Sequence, residues 1–184
     1  MTKQKTAMII LLGLVFPYTV ANAQLNIEKN NFIRKNQPIE IISDRMEAFN
    51  EKKMVVFSGN AVATQGDVRI KTDKLFFYYQ KNDDVKKTTP MQAVEASTDL
   101  DRIEAKGNVV IEQKDMTASS DEAVYFQRSA QIVMTGNAVL REGRNVIKGC
   151  RVIIYLDESR GKVEQCESEK SGRVKAIIHP QEKP

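Results

Sequence analysis

The chain has 184 residues, with 28 Lys and Arg against 24 Asp and Glu, so its formal net charge is only +4. This length suits a single domain with a substantial apolar core. Basic and acidic residues are interspersed, and no basic stripe carries the stacking aromatics of a nucleic-acid-binding surface, so we expect no nucleic acid partner.

The first 23 residues predict a cleavable secretory signal. Lys3 and Lys5 precede an apolar run over residues 7–16, and Ala21-Asn22-Ala23 has the small-residue pattern of a cleavage site. A retained membrane anchor is the alternative, but a span needs roughly 20 apolar residues, and Pro17 ends this run early. We therefore expect the chain to be exported.

The domain prediction follows from removing that segment. Residues 1–23 are the predicted signal peptide, and the polar residues 24–36 are predicted to form a flexible leader. Residues 37–180 are predicted to form a single β domain, followed by a tail over residues 181–184. No later run approaches transmembrane length, so we expect the mature chain to be soluble.

From residue 37 onward, apolar and polar residues tend to alternate. Val55 with Phe57, and Val68 with Ile70, are examples of apolar pairs separated by one residue. Period two predicts β-strands, and clusters of turn-forming residues divide the pattern into short runs. The sequence therefore predicts an all-β domain.

A Gly-Asn pair recurs three times between apolar runs. The copies are Gly59-Asn60, Gly107-Asn108 and Gly136-Asn137. The last two are 29 residues apart and the first two are 48 apart, which is one period plus 19 inserted residues. Because glycine and asparagine tolerate bends and bulges in strands, we interpret each pair as a corner. A repeat of about 29 residues predicts stacked units that share one core.

The positions around each glycine predict an inward face. Residues two and four places before and after it are apolar in every copy. Stacked in successive units, they would form apolar ladders along the domain, as in a solenoid or an elongated jelly roll. The predicted inward residues are Val55, Phe57, Ile103, Val109, Ile111, Ile132, Met134 and Leu140, with Phe77 and Tyr125 as aromatic partners across the interior.

Aspartates follow the same spacing as the glycines. Asp44, Asp73 and Asp121 each come directly after a serine or threonine, and Cys150 stands 29 residues after Asp121, where a fourth aspartate is expected. We interpret the three aspartates as turn formers that bond their own backbone.

The two cysteines lie near the end of the predicted domain. The residues between Cys150 and Cys166 predict strand, turn and strand, and a hairpin centred on Glu158 would set the two sulfurs opposite each other. A disulfide there would stabilise the fold by roughly 3 kcal/mol in the chain-entropy model. Two unpaired thiols are the alternative. Two cysteines without a histidine between them make a poor metal site, and we expect no metal or cofactor.

Several motifs together resemble a known family. The segments are Gln37–Asp44 (QPIEIISD), Val55–Val62 (VVFSGNAV), Gln65-Gly66 and Thr135–Ala138 (TGNA). In order and spacing they are similar to the periplasmic lipopolysaccharide-transport proteins often labelled organic-solvent-tolerance A-like. The resemblance implies a slightly twisted antiparallel β-jelly roll, open along one seam, whose apolar interior carries the acyl chains of lipopolysaccharide. It also implies that the protein bridges inner-membrane and outer-membrane transport partners by end-to-end stacking.

The resemblance adds Ile39 and Ile41 to the residues of the inward ladders as lining of a lipid-binding groove. It does not predict the cysteine pair, and Gln165-Cys166 stands where a fourth Gly-Asn pair would fall. An open jelly roll leaves unpaired strands at its two ends, near Ile39 and Val174. Such edges add further chains by strand pairing, so we expect head-to-tail self-association.

Two other function classes remain open on the residues alone. An exported β-repeat scaffold would have the same ladders packed shut and would bind no lipid. A carbohydrate-active β-solenoid enzyme would need two acids about 5 to 9.5 Å apart, and nothing in the sequence marks such a pair. A serine or cysteine nucleophile would lack a base, because the only histidine is His179, beside Pro180. We therefore expect no catalytic residues.

Overall fold

The computed structural model describes residues 37–49, 51–80, 100–166 and 172–180. Its strands are β1 (Glu40–Ile42), β2 (Arg45–Phe49), β3 (Met54–Gln65), β4 (Val68–Tyr79), β5 (Leu100–Gln113), β6 (Met116–Phe126), β7 (Gln131–Glu142), β8 (Asn145–Tyr155), β9 (Arg160–Glu164) and β10 (Lys175–Ile177). These four ranges contain no helix. The predicted signal peptide, leader and tail lie outside the described residues.

The ten strands form one antiparallel sheet. Strands β3 to β8 pair in chain order as a meander. At one end β1 and β2 pair with the two halves of β3, so that Ile41 lies opposite Ala63 and Met46 lies opposite Phe57. At the other end β10 and β9 pair with the two halves of β8. The sheet therefore has two ends, which confirms the prediction of an all-β fold with an open antiparallel sheet.

Each Gly-Asn pair interrupts the regular pairing of its strand. The register shifts at Gly59-Asn60 in β3, at Gly107-Asn108 in β5 and at Gly136-Asn137 in β7. All six residues have positive φ, between 48° and 82°, a region that favours glycine and asparagine. An extra residue on one side of a strand pair bends the strand. The corners thus divide each long strand into two halves.

The corner glycines also lie beneath an aspartate of a neighbouring strand. A β-carbon at Gly107 would lie 2.9 Å from Cγ of Asp73, and a β-carbon at Gly136 would lie 2.7 Å from Cβ of Asp121. Any larger residue would collide with the aspartate. Glycine is therefore required at these corners both by the backbone conformation and by the close approach.

The inner face of the sheet carries continuous apolar rows. Opposed residues of β3 to β8 form a first row of Phe57, Leu75, Ala105, Ala123, Met134 and Val152, and a second row of Val55, Phe77, Ile103, Tyr125, Ile132 and Ile154. Every member of these two rows is buried. We call this half of the sheet the first wall. The halves of the strands on the other side of the corners form the second wall. It carries a third row of Ala63, Ile70, Ile111, Ala118, Leu140 and Ile147.

Candidate functional site

The twelve predicted groove residues lie in one apolar interior. Nine of them are buried, namely Val55, Phe57, Phe77, Ile103, Val109, Ile111, Tyr125, Ile132 and Met134. Ile39, Ile41 and Leu140 are half-buried and pack against the same core. The structure therefore brings these side chains together, while their role in binding lipid stays a prediction.

A small cavity lies in the interior near the N-terminal end of the sheet. Its lining includes Ile39, Ala63 and Ile70 from the second wall and Leu75, Phe77 and Ile103 from the first. Its volume is about 20 Å³, which is close to the space needed for one water molecule. The free space between the two walls is therefore small at this point, and it is far smaller than an acyl chain.

Aromatic side chains make part of the interior surface. The rings of Phe57 and Phe77 meet edge to face with their centroids 5.8 Å apart. The Tyr125 hydroxyl donates a hydrogen bond to Oε1 of Gln127 at 2.9 Å, and burial raises the pKa of Tyr125. Burial also raises the pKa of Tyr79, which packs against the core, to about 12. These phenols stay neutral at physiological pH, so they add no charge to the interior.

The shifted pKa of Tyr79 predicts a loss of stability in strong alkali. A tyrosine in the unfolded chain ionises near pH 10.0, whereas Tyr79 in the fold ionises at about 12. Below pH 10 both states are protonated, and the stabilisation is fully present. As pH rises from 10 to 12, only the unfolded state loses the proton, so the free energy of unfolding falls. Denaturant titrations across this range should give a shallower decline for Tyr79→Phe than for the unchanged chain. Equal slopes would contradict the assignment.

A family model described as LptA/(LptD N-terminal domain) LPS transport protein matches residues 40–160. The matched range runs from β1 to the start of β9 and includes all three corners. The chain belongs to this family. Membership confirms the resemblance found in the sequence. Because the family consists of transport proteins, it also confirms the expectation that the chain is not an enzyme.

Individual relatives match most of the length of this chain. An uncharacterized protein of Rhizobium meliloti is 26% identical over 150 residues, which are 81% of this chain and 75% of the relative. The lipopolysaccharide export system protein LptA of Escherichia coli is 26% identical over 145 residues, or 79% of this chain and 72% of LptA. LptA of Haemophilus influenzae is 28% identical over 151 residues, or 79% and 78% of the two chains.

A solved structure supports the fold assignment. It is the crystal structure of LptH, the LptA-homologous periplasmic component of the lipopolysaccharide transport device of Pseudomonas aeruginosa, and it matches with a TM-score of 0.62. The match covers 78% of this chain and 96% of LptH at 17% sequence identity. At that identity the likeness shows that the two chains share this family's fold.

The outer face of the first wall differs from the inner face. Phe76 stacks on Tyr78, and the Arg102 guanidinium lies 3.8 Å from the centre of the Tyr78 ring. Arg102 also donates to Glu104 from Nε at 2.8 Å, a hydrogen bond that raises the pKa of the guanidinium. Aromatic and charged groups are thus paired on this face. It gives a natural contrast for any test of what the interior binds.

The described ranges contain no helix with the length and apolar composition of a membrane span. They also contain no group of three His, Cys, Asp or Glu side chains placed to hold a metal ion.

The glycine spacing missed half of the inner face. It selected residues on β3, β5 and β7, whereas Leu75 in β4 and Val152 and Ile154 in β8 are equally buried. These strands carry no Gly-Asn pair, so they could not be aligned on one. Their signal in the sequence is the apolar alternation that places Leu75 two residues from Phe77.

Proposed function

We propose that this protein is a periplasmic carrier that shields the acyl chains of lipopolysaccharide between its two walls. We further propose that it bridges inner-membrane and outer-membrane transport components by end-to-end assembly. Membership of the transport family supports the substrate class. The observation that carries the proposal is the unbroken series of apolar rows along the inner face from β3 to β8.

The composition of these rows suits a carrier that must also release its cargo. Apolar contacts are non-directional, and each buried methylene of an acyl chain contributes about 0.8 kcal/mol. Small residues recur in the rows, including Ala63, Ala105, Ala118 and Ala123. They leave room for a flexible chain once the walls separate. The buried side chains of the described ranges include no charged group that would hold the headgroup tightly.

Opening of the walls is an essential part of this proposal. A cavity of about 20 Å³ holds far less than an acyl chain of a dozen carbons. Lipid binding would therefore widen the space that is lined by Ile39 and Ala63 on the second wall and by Leu75 and Phe77 on the first. The corners are the natural hinges, because each long strand bends there and its two halves carry the two walls.

The two ends of the sheet suit assembly into a head-to-tail chain. The N-terminal edge, β1 and β2 with the turn between them, carries three acids and one base, namely Glu40, Asp44, Glu47 and Arg45. The C-terminal edge, β9 and β10 with the flanking residue 173, carries four bases and one acid, namely Arg160, Lys162, Arg173, Lys175 and Glu164. Both ends also expose apolar side chains, among them Ile42 at 64% and Ile178 at 65%. Opposite charges and open strand edges favour contact between unlike ends.

Photo-crosslinking from two adjacent phenylalanines tests the lipid site. Phe77 is buried on the inner face, whereas its neighbour Phe76 stacks on Tyr78 on the outer face. A photoreactive phenylalanine at position 77 should give lipopolysaccharide adducts at least tenfold more often than the same residue at position 76. Ile39, which is half-buried in the cavity lining, provides a second inner position that is less buried than Phe77.

The outcomes separate the competing functions. Adducts at positions 77 and 39 but not at 76 would support the carrier. Equal labelling at 76 and 77 would contradict an internal site. If circular dichroism shows folded variants and no position yields an adduct, the interior is closed and the protein is a structural scaffold.

A further inference from the structure

At each corner of this fold, a side chain of the corner strand is hydrogen-bonded to a side chain of the neighbouring segment of the chain. The Asn60 amide donates to Oδ2 of Asp44 at 3.3 Å, and the Asn137 amide donates to Oδ2 of Asp121 at 3.1 Å. Each pair is separated by 16 residues. We call such a pair a corner clasp. The third is Asn108 with Asp73 at 2.9 Å, and its separation of 35 residues reflects the insert.

The clasps give the aspartates a role between segments of the chain that the sequence did not predict, and the turn role stays a prediction. The hydroxyls of Ser43, Thr72 and Ser120, which precede the aspartates, donate to the backbone carbonyl two residues further on. The aspartate carboxylates accept hydrogen bonds from the asparagines of the adjacent strand. Each clasp ties one strand to the strand that carries the corner.

Cys150 and Cys166 occupy the place of a fourth clasp. Cys150 follows Asp121 by 29 positions, and Cys166 follows Asn137 by 29 positions. The register of β8 shifts around Cys150, opposite the Gly136-Asn137 corner. In the structure the two sulfurs are bonded, the Cα atoms lie 5.0 Å apart, and the separation is again 16 residues.

This fourth clasp lies where the sheet ends. Among the described residues after β8, the strands are β9, with five residues, and β10, with three. The Cys166 amide donates to the Gly172 carbonyl at 3.1 Å, and a β-carbon at Gly172 would lie 2.7 Å from Cβ of Cys166. The bond between the cysteines therefore fixes the point from which the chain continues into β10.

We propose that the Cys150–Cys166 disulfide is a covalent corner clasp that completes the C-terminal edge only in an oxidising compartment. Oxidation would transfer two electrons and two protons from the thiols to the disulfide of an exported thiol oxidase, which becomes a dithiol. Both cysteines are half-buried, so an oxidase can reach them. This inference rests on the proposed export and self-association. Before export, the reduced chain in the cytoplasm would lack a formed C-terminal edge with which to self-associate.

Hydrogen exchange tests the role of the bond without reference to lipid. In the purified full chain, amides of residues 172–178 should exchange at least tenfold faster after reduction with dithiothreitol, while β7 stays unchanged. Cys150→Ser with Cys166→Ser should behave like the reduced chain. Cys150→Asp with Cys166→Asn recreates the polar clasp and should recover part of the protection. Equal exchange in all four forms would overturn the proposal.

Two further measurements test whether the four clasps are equivalent and whether the two cysteines are oxidised. Asp121→Cys with Asn137→Cys should form a second disulfide under air oxidation, because a clasp already brings these positions together. Failure to form it in a folded chain would overturn the equivalence of the four clasps. Alkylation of chain recovered from an oxidising compartment should find Cys150 and Cys166 blocked until reduction. Free thiols there would overturn the covalent clasp, whatever the outcome of lipid crosslinking.

Discussion

Replacing Gly107 with alanine should lower the free energy of unfolding by about 3 kcal/mol or more. Its φ of 82° disfavours any side chain, and a β-carbon would lie 2.9 Å from Cγ of Asp73. Both effects act at a corner that joins β4, β5 and β6. Urea denaturation of the two proteins, followed by circular dichroism, measures the difference.

Gly143 provides the matched control for this substitution. It also has positive φ, at 54°, but a β-carbon there would meet nothing within 4 Å. Gly143→Ala should therefore lose only the conformational term, about 1 kcal/mol. Equal losses at Gly107 and Gly143 would contradict the role given to the close approach.

A second variant separates collision from backbone strain. Asp73→Ala removes the carboxylate that covers Gly107, together with its hydrogen bond from Asn108. The double variant Asp73→Ala, Gly107→Ala should therefore lose less stability than the sum of the two single losses. If the two losses in the free energy of unfolding were strictly additive, the aspartate would not collide with a β-carbon at position 107.

The sequence predicted the inward residues of β3, β5 and β7 because two simple periodicities coincide in these strands. Alternation fixes which side of a strand a residue faces, and the recurring glycine fixes the phase from one unit to the next. Val55 and Phe57 before one corner, and Ile132 and Met134 before another, are buried as these two signals require. The fold class followed from the same pattern.

Contacts between strands could not be predicted in this way, because no local sequence pattern indicates which residues of different strands lie close together. The aspartates shared the spacing of the glycines, yet their partners, Asn60, Asn108 and Asn137, lie on the adjacent strand. A constant separation of 16 residues outside the insert was the available signal. The small free space between the two walls could not be predicted from the sequence either, because alanines such as Ala63 fit both an open and a closed interior.

Reversing one charge at either end of the sheet should weaken head-to-tail self-association at least tenfold, which corresponds to about 1.4 kcal/mol. Glu40 lies in the acidic N-terminal edge and Lys175 in the basic C-terminal edge, and both are exposed. Glu40→Lys makes the N-terminal edge less acidic, and Lys175→Glu makes the C-terminal edge less basic. Either change weakens the attraction between unlike ends. Sedimentation velocity at low salt measures the change, and added salt should weaken the unchanged chain too.

The double variant tests whether Glu40 and Lys175 are direct partners across the contact. Because Glu40→Lys and Lys175→Glu exchange the two charges, the combined variant should associate more tightly than either single variant if these two side chains lie next to each other. Glu122→Lys makes the same charge change at an exposed position in the middle of the sheet and should leave association unaltered. If the double variant were as weak as the sum of its parts, Glu40 and Lys175 would not be direct partners. If Glu122→Lys weakened association as much as the edge variants do, the contact would run through the lateral faces of the sheet and not through its ends.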